Sequence, residues 1–180
     1  MRKKIAITLL VVLIAIAGVQ SMANHTTARK VTNVITAGGV QIRVNQSAEN
    51  KGESEEIEPG ARRENSVSIE NTGKNGAYVK VEVRALSEGK AIELEDVLKL
   101  NIDRENWRYE DGYYYYVKEL KQGEETQALY TEEIFSEEAL REKYTGKEIE
   151  VEIIGYAVQS ANNGKEATKA EGWPEQKEAV

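Results

Sequence analysis

Cysteine is absent from this 180-residue sequence, histidine occurs once and proline occurs twice. Without cysteine the chain cannot form a disulfide, a thiolate zinc site or a cysteine nucleophile, and His25 alone cannot build a metal site. The 24 basic residues are outnumbered by 31 acidic ones and are spread among them. Phosphate contacts need clustered lysine and arginine, so the composition argues against nucleic-acid binding. The sequence therefore predicts no nucleic-acid partner, no metal and no cofactor.

The first 23 residues have the pattern of a secretory signal peptide. Three basic residues at positions 2–4 precede an unbroken apolar run over 5–19, which is shorter than the roughly 20 residues of a stable membrane-spanning helix. Ser21 and Ala23 supply the small residues of a cleavage site. We predict cleavage after Ala23, a chain secreted to the cell surface or extracellular matrix, and membrane contact only through the signal peptide before cleavage. An uncleaved N-terminal anchor is the alternative.

In the rest of the chain the apolar residues recur mainly at every second position, which is typical of half-buried strands. The segment 77–85 is the clearest, and we expect it at the centre of a sheet, joined to 67–70 by a hairpin over 71–76. Other strands are predicted at 32–36, 40–44, 127–130 and 149–158, the last with a bulge at Ile154 and Gly155, where the alternation shifts by one residue.

Helical spacing is limited to two short segments. One lies within 92–100, and the other begins at Ser136 and runs to Lys143. The acidic segment 46–59 is predicted to be an exposed loop, and 160–180 a polar C-terminal tail. Together these patterns predict an all-β protein, an antiparallel jelly-roll-like β-sandwich over 39–159 with short helical insertions.

The aromatic residues concentrate in a second predicted hairpin around Asp111 and Gly112, a strong two-residue turn signal. If these two residues form the turn, Trp107 faces Tyr116 and Tyr109 faces Tyr114, which places these four on one side of the hairpin. Tyr113 and Tyr115 then lie on the other side. Exposed rings at Trp107, Tyr113 and Tyr115 would suit a carbohydrate-binding or adhesive surface, whereas packing into the core is the alternative.

The order of several short segments resembles the TasA/camelysin family of bacterial surface and biofilm-matrix proteins, which a signal peptidase of the SipW type exports. The segments are the signal peptide, 34–40, Pro59-Gly60, 67–73, 77–81, 111–116, 120–126 and 157–159. The resemblance covers nearly the whole mature chain. It implies a jelly-roll-like sandwich whose subunits assemble into extracellular fibres of a Gram-positive biofilm, each subunit lending an N-terminal strand to the next.

In this sequence the donated strand would come from the N-terminal segment 24–38. Val31, Val34 and Ile35 are the apolar side chains that would fill pockets on the acceptor. The same residues would equally suit an ordinary strand within their own subunit. Donation predicts self-association into filaments, because a head-to-tail contact does not close. Other matrix or cell-wall components are further expected partners.

An enzymatic function has little support in the sequence. There is no His-Glu-x-x-His motif for zinc hydrolysis. Paired carboxylates occur at positions 55–56, 124–125 and 132–133, but nothing identifies a glycosidase cleft between them, so they are interpreted as solvated surface charge. We therefore predict a structural protein rather than an enzyme, with the adhesin as the competing hypothesis.

Overall fold

The structure is a computed structural model that describes residues 26–37, 39–47 and 55–174. The predicted signal peptide, with Ser21 and Ala23, lies outside the described residues, as does His25. None of the helices in the described part of the chain is both long and apolar enough to cross a membrane.

The described residues form an all-β sandwich with short helices, which confirms the predicted fold class. A seven-stranded sheet contains, in spatial order, β3 (Glu55–Ile57), β1 (Thr26–Ala37), β12 (Glu148–Gln159), β6 (Ala77–Ser87), β10 (Tyr113–Tyr116) and β9 (Trp107–Glu110), with β7 (Lys90–Ile92) added to β6. A two-stranded sheet pairs β2 (Ile42–Gln46) with β5 (Val67–Asn71). A three-stranded sheet contains β4 (Arg62–Glu64), β11 (Glu132–Phe135) and β8 (Leu98–Leu100).

Two short α-helices lie at the predicted places in the described chain, α1 (Leu94–Val97) and α2 (Glu137–Glu142). Ser136 caps α2, because its side chain accepts a hydrogen bond from the Ala139 amide at 3.3 Å. The strand pairs are antiparallel apart from β1 with β12, which run parallel. That parallel pair is the one departure from the antiparallel sandwich that the sequence predicts.

Both smaller sheets pack on the same face of the seven-stranded sheet. The β2–β5 pair contributes Ile42, Val44, Val67 and Ile69 to one core cluster, against Val79, Val81, Ile153 and Ala157 of the large sheet. A second cluster joins the other end of β6 and β12 to the three-stranded sheet and α2, through Ala85, Ile149, Val151, Phe135 and Leu140. Strand β6 lies between β12 and β10, so its predicted central position is confirmed.

The hairpin predicted between 67–70 and 77–85 is wrong, because β5 and β6 belong to different sheets. The segment 71–76 instead crosses from one sheet to the other. Asn71 holds this crossing with two hydrogen bonds from Nδ2, to the carbonyls of Asn75 and Leu120, each 2.9 Å long. The predicted strand 127–130 is irregular, although the amide of Leu129 bonds to the Val67 carbonyl of β5 at 2.7 Å.

The bulge expected at Ile154 and Gly155 is absent, since β12 and β6 keep one continuous register from Ile149 to Gln159. The alternation shifts because both faces of β12 are covered beyond Ile153. Two further expectations change. The tail described to residue 174 packs on the outer face, with Ala167 and Ala170 buried, and the predicted loop 46–59 contains β3.

Candidate functional site

The N-terminal segment forms β1, the proposed exchange strand, and in this chain it lies in its own sheet. Its residues pair in parallel with β12, from Thr27 opposite Glu148 to Ala37 opposite Val158. On the other side, β3 pairs only with the first three residues of β1. Among the described residues no strand pairs with that side of β1 over 29–37. Within the described part of the chain, this side of β1 over 29–37 is therefore an open sheet edge.

The three apolar residues predicted as plugs are not buried in this arrangement. Val31 and Ile35 are half-buried, and Val34 is 43% exposed. The register places Val31 and Ile35 on the outer face of the sheet, beside Glu152 and Tyr156, whereas Val34 faces inward beside Gly155. The buried residues of β1 are Thr26 and Ala28. Apolar burial thus contributes little to holding this long strand in place.

Polar and charged side chains, rather than apolar ones, anchor β1 to the rest of the protein. Lys30 Nζ lies 2.5 Å from Oε2 of Glu133, and both side chains are largely enclosed, with 11% and 0% of their surface exposed. Arg29 on the outer face donates from Nη2 to Glu150 Oε2 at 2.6 Å. Thr26 donates from Oγ1 to the Tyr144 carbonyl at 2.9 Å. These contacts fix the register of β1 on β12.

Glu133 belongs to a buried polar cluster that we call the Glu133 cluster, made of Lys30, Asn65, Tyr130 and Glu133. Asn65 Nδ2 donates to Oε1 of Glu133 at 2.6 Å, and the Tyr130 hydroxyl donates to the same oxygen at 3.1 Å. Burial, together with the neighbouring carboxylate, raises the pKa of Tyr130 well above its usual range, so this hydroxyl keeps its proton.

This cluster was not predicted from the sequence, because Glu132 and Glu133 were interpreted as surface charge. The interpretation is wrong for Glu133, which is fully buried. A signal for it exists in the sequence: at strand spacing Glu133 shares a face with Phe135. A carboxylate that alternates with apolar residues in a strand indicates a buried partner cation.

Beside the open edge of β1 lies a groove of about 490 Å³ between β1 and β2. Thr32, Val34 and Thr36 line one wall, and Ile42 and Val44 line the other. The wall from β1 is mainly polar, which explains why sequence periodicity predicted only 32–36 as a strand rather than the full β1.

The aromatic hairpin has the predicted register, with Trp107 opposite Tyr116 and Tyr109 opposite Tyr114. Asp111 and Gly112 form the turn with φ of 48° and 85°, as a type I′ turn requires. Trp107 is a core residue, 2% exposed, and its Nε1 donates to the Gln127 carbonyl at 3.1 Å. Tyr109 is the exposed aromatic residue of the hairpin, with 63% of its surface accessible.

Tyr113 and Tyr115 are half-buried and surround the ammonium group of Lys80. Nζ of this buried lysine lies 3.6 Å from the ring centroid of Tyr113 and 5.5 Å from that of Tyr115. Tyr156 and Trp173 complete the cage at 5.3 and 5.0 Å. Burial lowers the pKa of Lys80. One face of Tyr113 is therefore occupied by the protein's own cation.

The opposite side of the hairpin carries an open cleft of about 530 Å³. Tyr109 and Tyr114 line it, with their ring centroids 4.9 Å apart. Arg104, Arg108 and Glu95 add charged groups. This cleft combines an exposed ring with hydrogen-bonding side chains. Of the three predicted aromatic residues, Trp107 lines the cleft, whereas Tyr113 and Tyr115 do not.

Within the residues that the structure describes, no group of three or more histidine, cysteine, aspartate or glutamate side chains is placed to hold a metal ion. Comparison with known proteins assigns no family, because no protein-family model, no curated protein and no solved structure matches the chain.

Proposed function

We propose that this protein is a secreted structural component of an extracellular matrix, a subunit or accessory subunit of fibres in which β1 of one copy completes the sheet of the next. A signal peptidase of the SipW type would remove residues 1–23, and the proposal assigns the chain no catalytic activity. The resemblance to the TasA/camelysin family motivates the proposal. The observation that carries it is the way in which β1 is held.

Strand β1 has the properties of an exchangeable strand. It is held by backbone pairing along β12 and by the contacts of Thr26, Arg29 and Lys30, and it buries few apolar side chains. A β1 strand from a second copy would pair with β12 and contact Glu133, Tyr144 and Glu150 in the same way. Exchange therefore preserves these contacts. Residues 38 and 39 after β1 are both glycine, and glycine gives the connecting backbone its widest conformational choice.

Loss of β1 would destabilise an acceptor subunit, which favours binding of a β1 strand from another copy. The backbone of β12 would become an unpaired edge over eleven register positions. Glu133 would lose its cation while remaining buried, which is costly for a carboxylate. Because donor and acceptor surfaces differ, each added subunit presents a new acceptor or donor, and the assembly grows as a filament.

Electron microscopy of two purified chains tests the proposal. One chain begins at Asn24 and the other at Gly39, so the second lacks β1. We expect filaments from the first chain alone. If both chains stay folded by circular dichroism and neither assembles, the fibre proposal is overturned.

A charge exchange at the buried ion pair tests whether β1, with Lys30, and the partner residue Glu133 belong to different copies. Lys30→Glu and Glu133→Lys each place like charges together, so neither variant should assemble alone. In an equimolar mixture the strand of each variant matches position 133 of the other, and we expect alternating copolymers. Glu132→Lys, on the neighbouring and partly exposed carboxylate, is the matched control and should assemble. Failure of the mixture, with wild type and control assembling, would contradict exchange through this pair.

A second candidate function is adhesion through carbohydrate binding, favoured by the exposed Tyr109 beside Tyr114. Aromatic rings stack on sugar faces while adjacent polar groups bond to the hydroxyls. The test is co-sedimentation with purified cell-wall glycan. Tyr109→Ala should abolish binding if the cleft is the site, whereas a Tyr113→Ala and Tyr115→Ala double variant should abolish it if the originally predicted surface is used. Equal sedimentation of all chains would remove the adhesin hypothesis.

A further inference from the structure

The Glu133 cluster brings together an amine, a carboxamide and a carboxylate that are nearly sealed from water. Lys30 Nζ lies 2.5 Å from Oε2 of Glu133, and Asn65 Nδ2 lies 2.6 Å from Oε1 of the same carboxylate. Asn65 is 1% exposed and Glu133 is not exposed at all. One carboxylate therefore bridges a lysine and an asparagine that are 35 positions apart in the sequence.

The arrangement exceeds what a simple ion pair needs. A lysine and a glutamate alone would neutralise each other, yet the cluster adds the Asn65 carboxamide and the Tyr130 hydroxyl to the same carboxylate oxygen. Buried polar groups of this kind are expensive unless they are fully bonded.

We propose that Lys30 and Asn65 react to form an isopeptide bond, with Glu133 as the acid and base. The proposal does not depend on strand exchange, because the bond would form on β1 seated in its own chain or in a neighbour.

The reaction needs no oxidant and no external reagent. Glu133 takes a proton from the Lys30 ammonium group, which leaves a neutral amine on the same carboxylate that binds the Asn65 carboxamide. Lys30 Nζ then attacks Cγ of Asn65, so that a C–N bond forms. The carboxyl group of Glu133 passes this proton to Nδ2 of Asn65, the Cγ–Nδ2 bond breaks, and ammonia is released. Glu133 then takes the second proton from Nζ, which leaves a neutral amide, and passes it to the ammonia, which departs as ammonium. Glu133 ends as the carboxylate that it was at the start.

Tyr130 has a positioning role in this scheme. Its hydroxyl donates to Oε1 of Glu133 at 3.1 Å and holds the carboxylate between the two reactants. The product would fasten β1 to the segment that precedes β5. In a fibre with exchanged strands, the same bond would join adjacent subunits covalently.

Intact-mass spectrometry of the mature chain, before and after incubation at neutral pH, tests the proposal. We expect a loss of about 17 Da per chain, the mass of the ammonia released when an amine displaces a carboxamide nitrogen. A proteolytic peptide that joins the Lys30 and Asn65 segments should accompany the loss. Glu133→Gln and Lys30→Arg should keep the full mass, whereas Glu132→Gln, on the adjacent, partly exposed carboxylate, should behave as wild type.

A denaturing gel then locates the bond. A linked peptide in chains that run as monomers places the bond within one subunit, and a heat-stable ladder places it between subunits; both results support the proposal. Full mass in folded wild-type protein overturns it. So does a loss of ammonia without the linked peptide, which would indicate ring closure of Asn65 on its own backbone. Filaments built from full-mass chains would overturn this inference and leave the fibre proposal standing.

Discussion

Gly155 lies where β12 packs closely against the β2–β5 sheet, and it allows a quantitative test. It lies on the inner face of β12, between Ile153 and Ala157. A Cβ atom there would lie 3.0 Å from Cγ2 of Val44 and 3.3 Å from Cδ1 of both Ile42 and Ile69. Carbon atoms prefer separations of about 3.5–4.0 Å, so even alanine requires the β2–β5 sheet to move outward.

Two opposing effects determine how a substitution at Gly155 changes the free energy of unfolding. Replacing a strand glycine with alanine gains about 0.5–1 kcal/mol through lower backbone entropy in the unfolded chain, and the short contact offsets this gain. Valine adds two methyl groups to the same space, and overpacking of a core costs about 1–3 kcal/mol. The preference of valine for strands returns at most about 1 kcal/mol. We expect Gly155→Ala to leave the free energy of unfolding nearly unchanged and Gly155→Val to lower it by about 1–2 kcal/mol.

Urea unfolding of the mature chain measures these changes, and the Gly155→Val loss should lower the melting temperature by about 2–8 °C. Val44→Ala removes the nearest methyl group. In combination, the two substitutions should cost at least about 1 kcal/mol less than the sum of the separate losses. A Gly155→Val chain as stable as wild type, or strictly additive losses, would refute the close approach of the two sheets.

Three further predictions concern stability and the outer face. Ser136→Ala should lose about 1 kcal/mol by removing the cap of α2, which urea unfolding checks, and Ser136→Asp should restore most of the loss. Burial raises the pKa of Tyr78, Tyr113 and Tyr156, so their stabilising contribution is present below the unfolded tyrosine value of about 10 and is lost as pH rises above it. The tyrosinate absorbance of these three residues, obtained by difference from their phenylalanine variants, should therefore rise together with the loss of circular dichroism, and ionisation of the three well before unfolding would contradict this. Trp173→Ala opens the cage and should return the pKa of Lys80 toward its ordinary value in a nuclear magnetic resonance titration, while an unchanged titration would place Trp173 away from Lys80.

Local sequence signals predicted the parts of the fold that local contacts determine. The Asp111-Gly112 turn fixes the register of its hairpin because the two strands are adjacent in the chain. Ser136 predicted the start of α2 because its capping hydrogen bond joins residues only three positions apart. Strand β6 was predicted as central because its alternation is long and unbroken.

The wrong predictions concern segments whose structure depends on contacts with residues far away in the sequence. The residues of 71–76 suit a tight turn, yet they equally suit a crossing between sheets. Contacts with distant residues, such as the hydrogen bond from Asn71 Nδ2 to the Leu120 carbonyl, select the crossing. The alternation shift in β12 resembles a bulge because the sequence does not reveal that the tail covers the outer face. The strand predicted at 32–36 is shorter than β1 because the residues that precede it are mainly polar and include Lys30. Its partner Glu133 lies 103 positions away.

Position-specific cross-linking tests strand exchange most directly. Arg29 and Glu150 are register partners on the outer face of β1 and β12, and the chain contains no cysteine of its own. A chain carrying Arg29→Cys and Glu150→Cys is assembled, oxidised and run on a denaturing gel without reductant, with each single variant as control. Strand exchange predicts a ladder of subunit multiples that needs both substitutions or, where an isopeptide bond already joins subunits, exceeds the ladder of the controls. Filaments whose chains all migrate as monomers, with the two cysteines linked within one chain, would contradict the account.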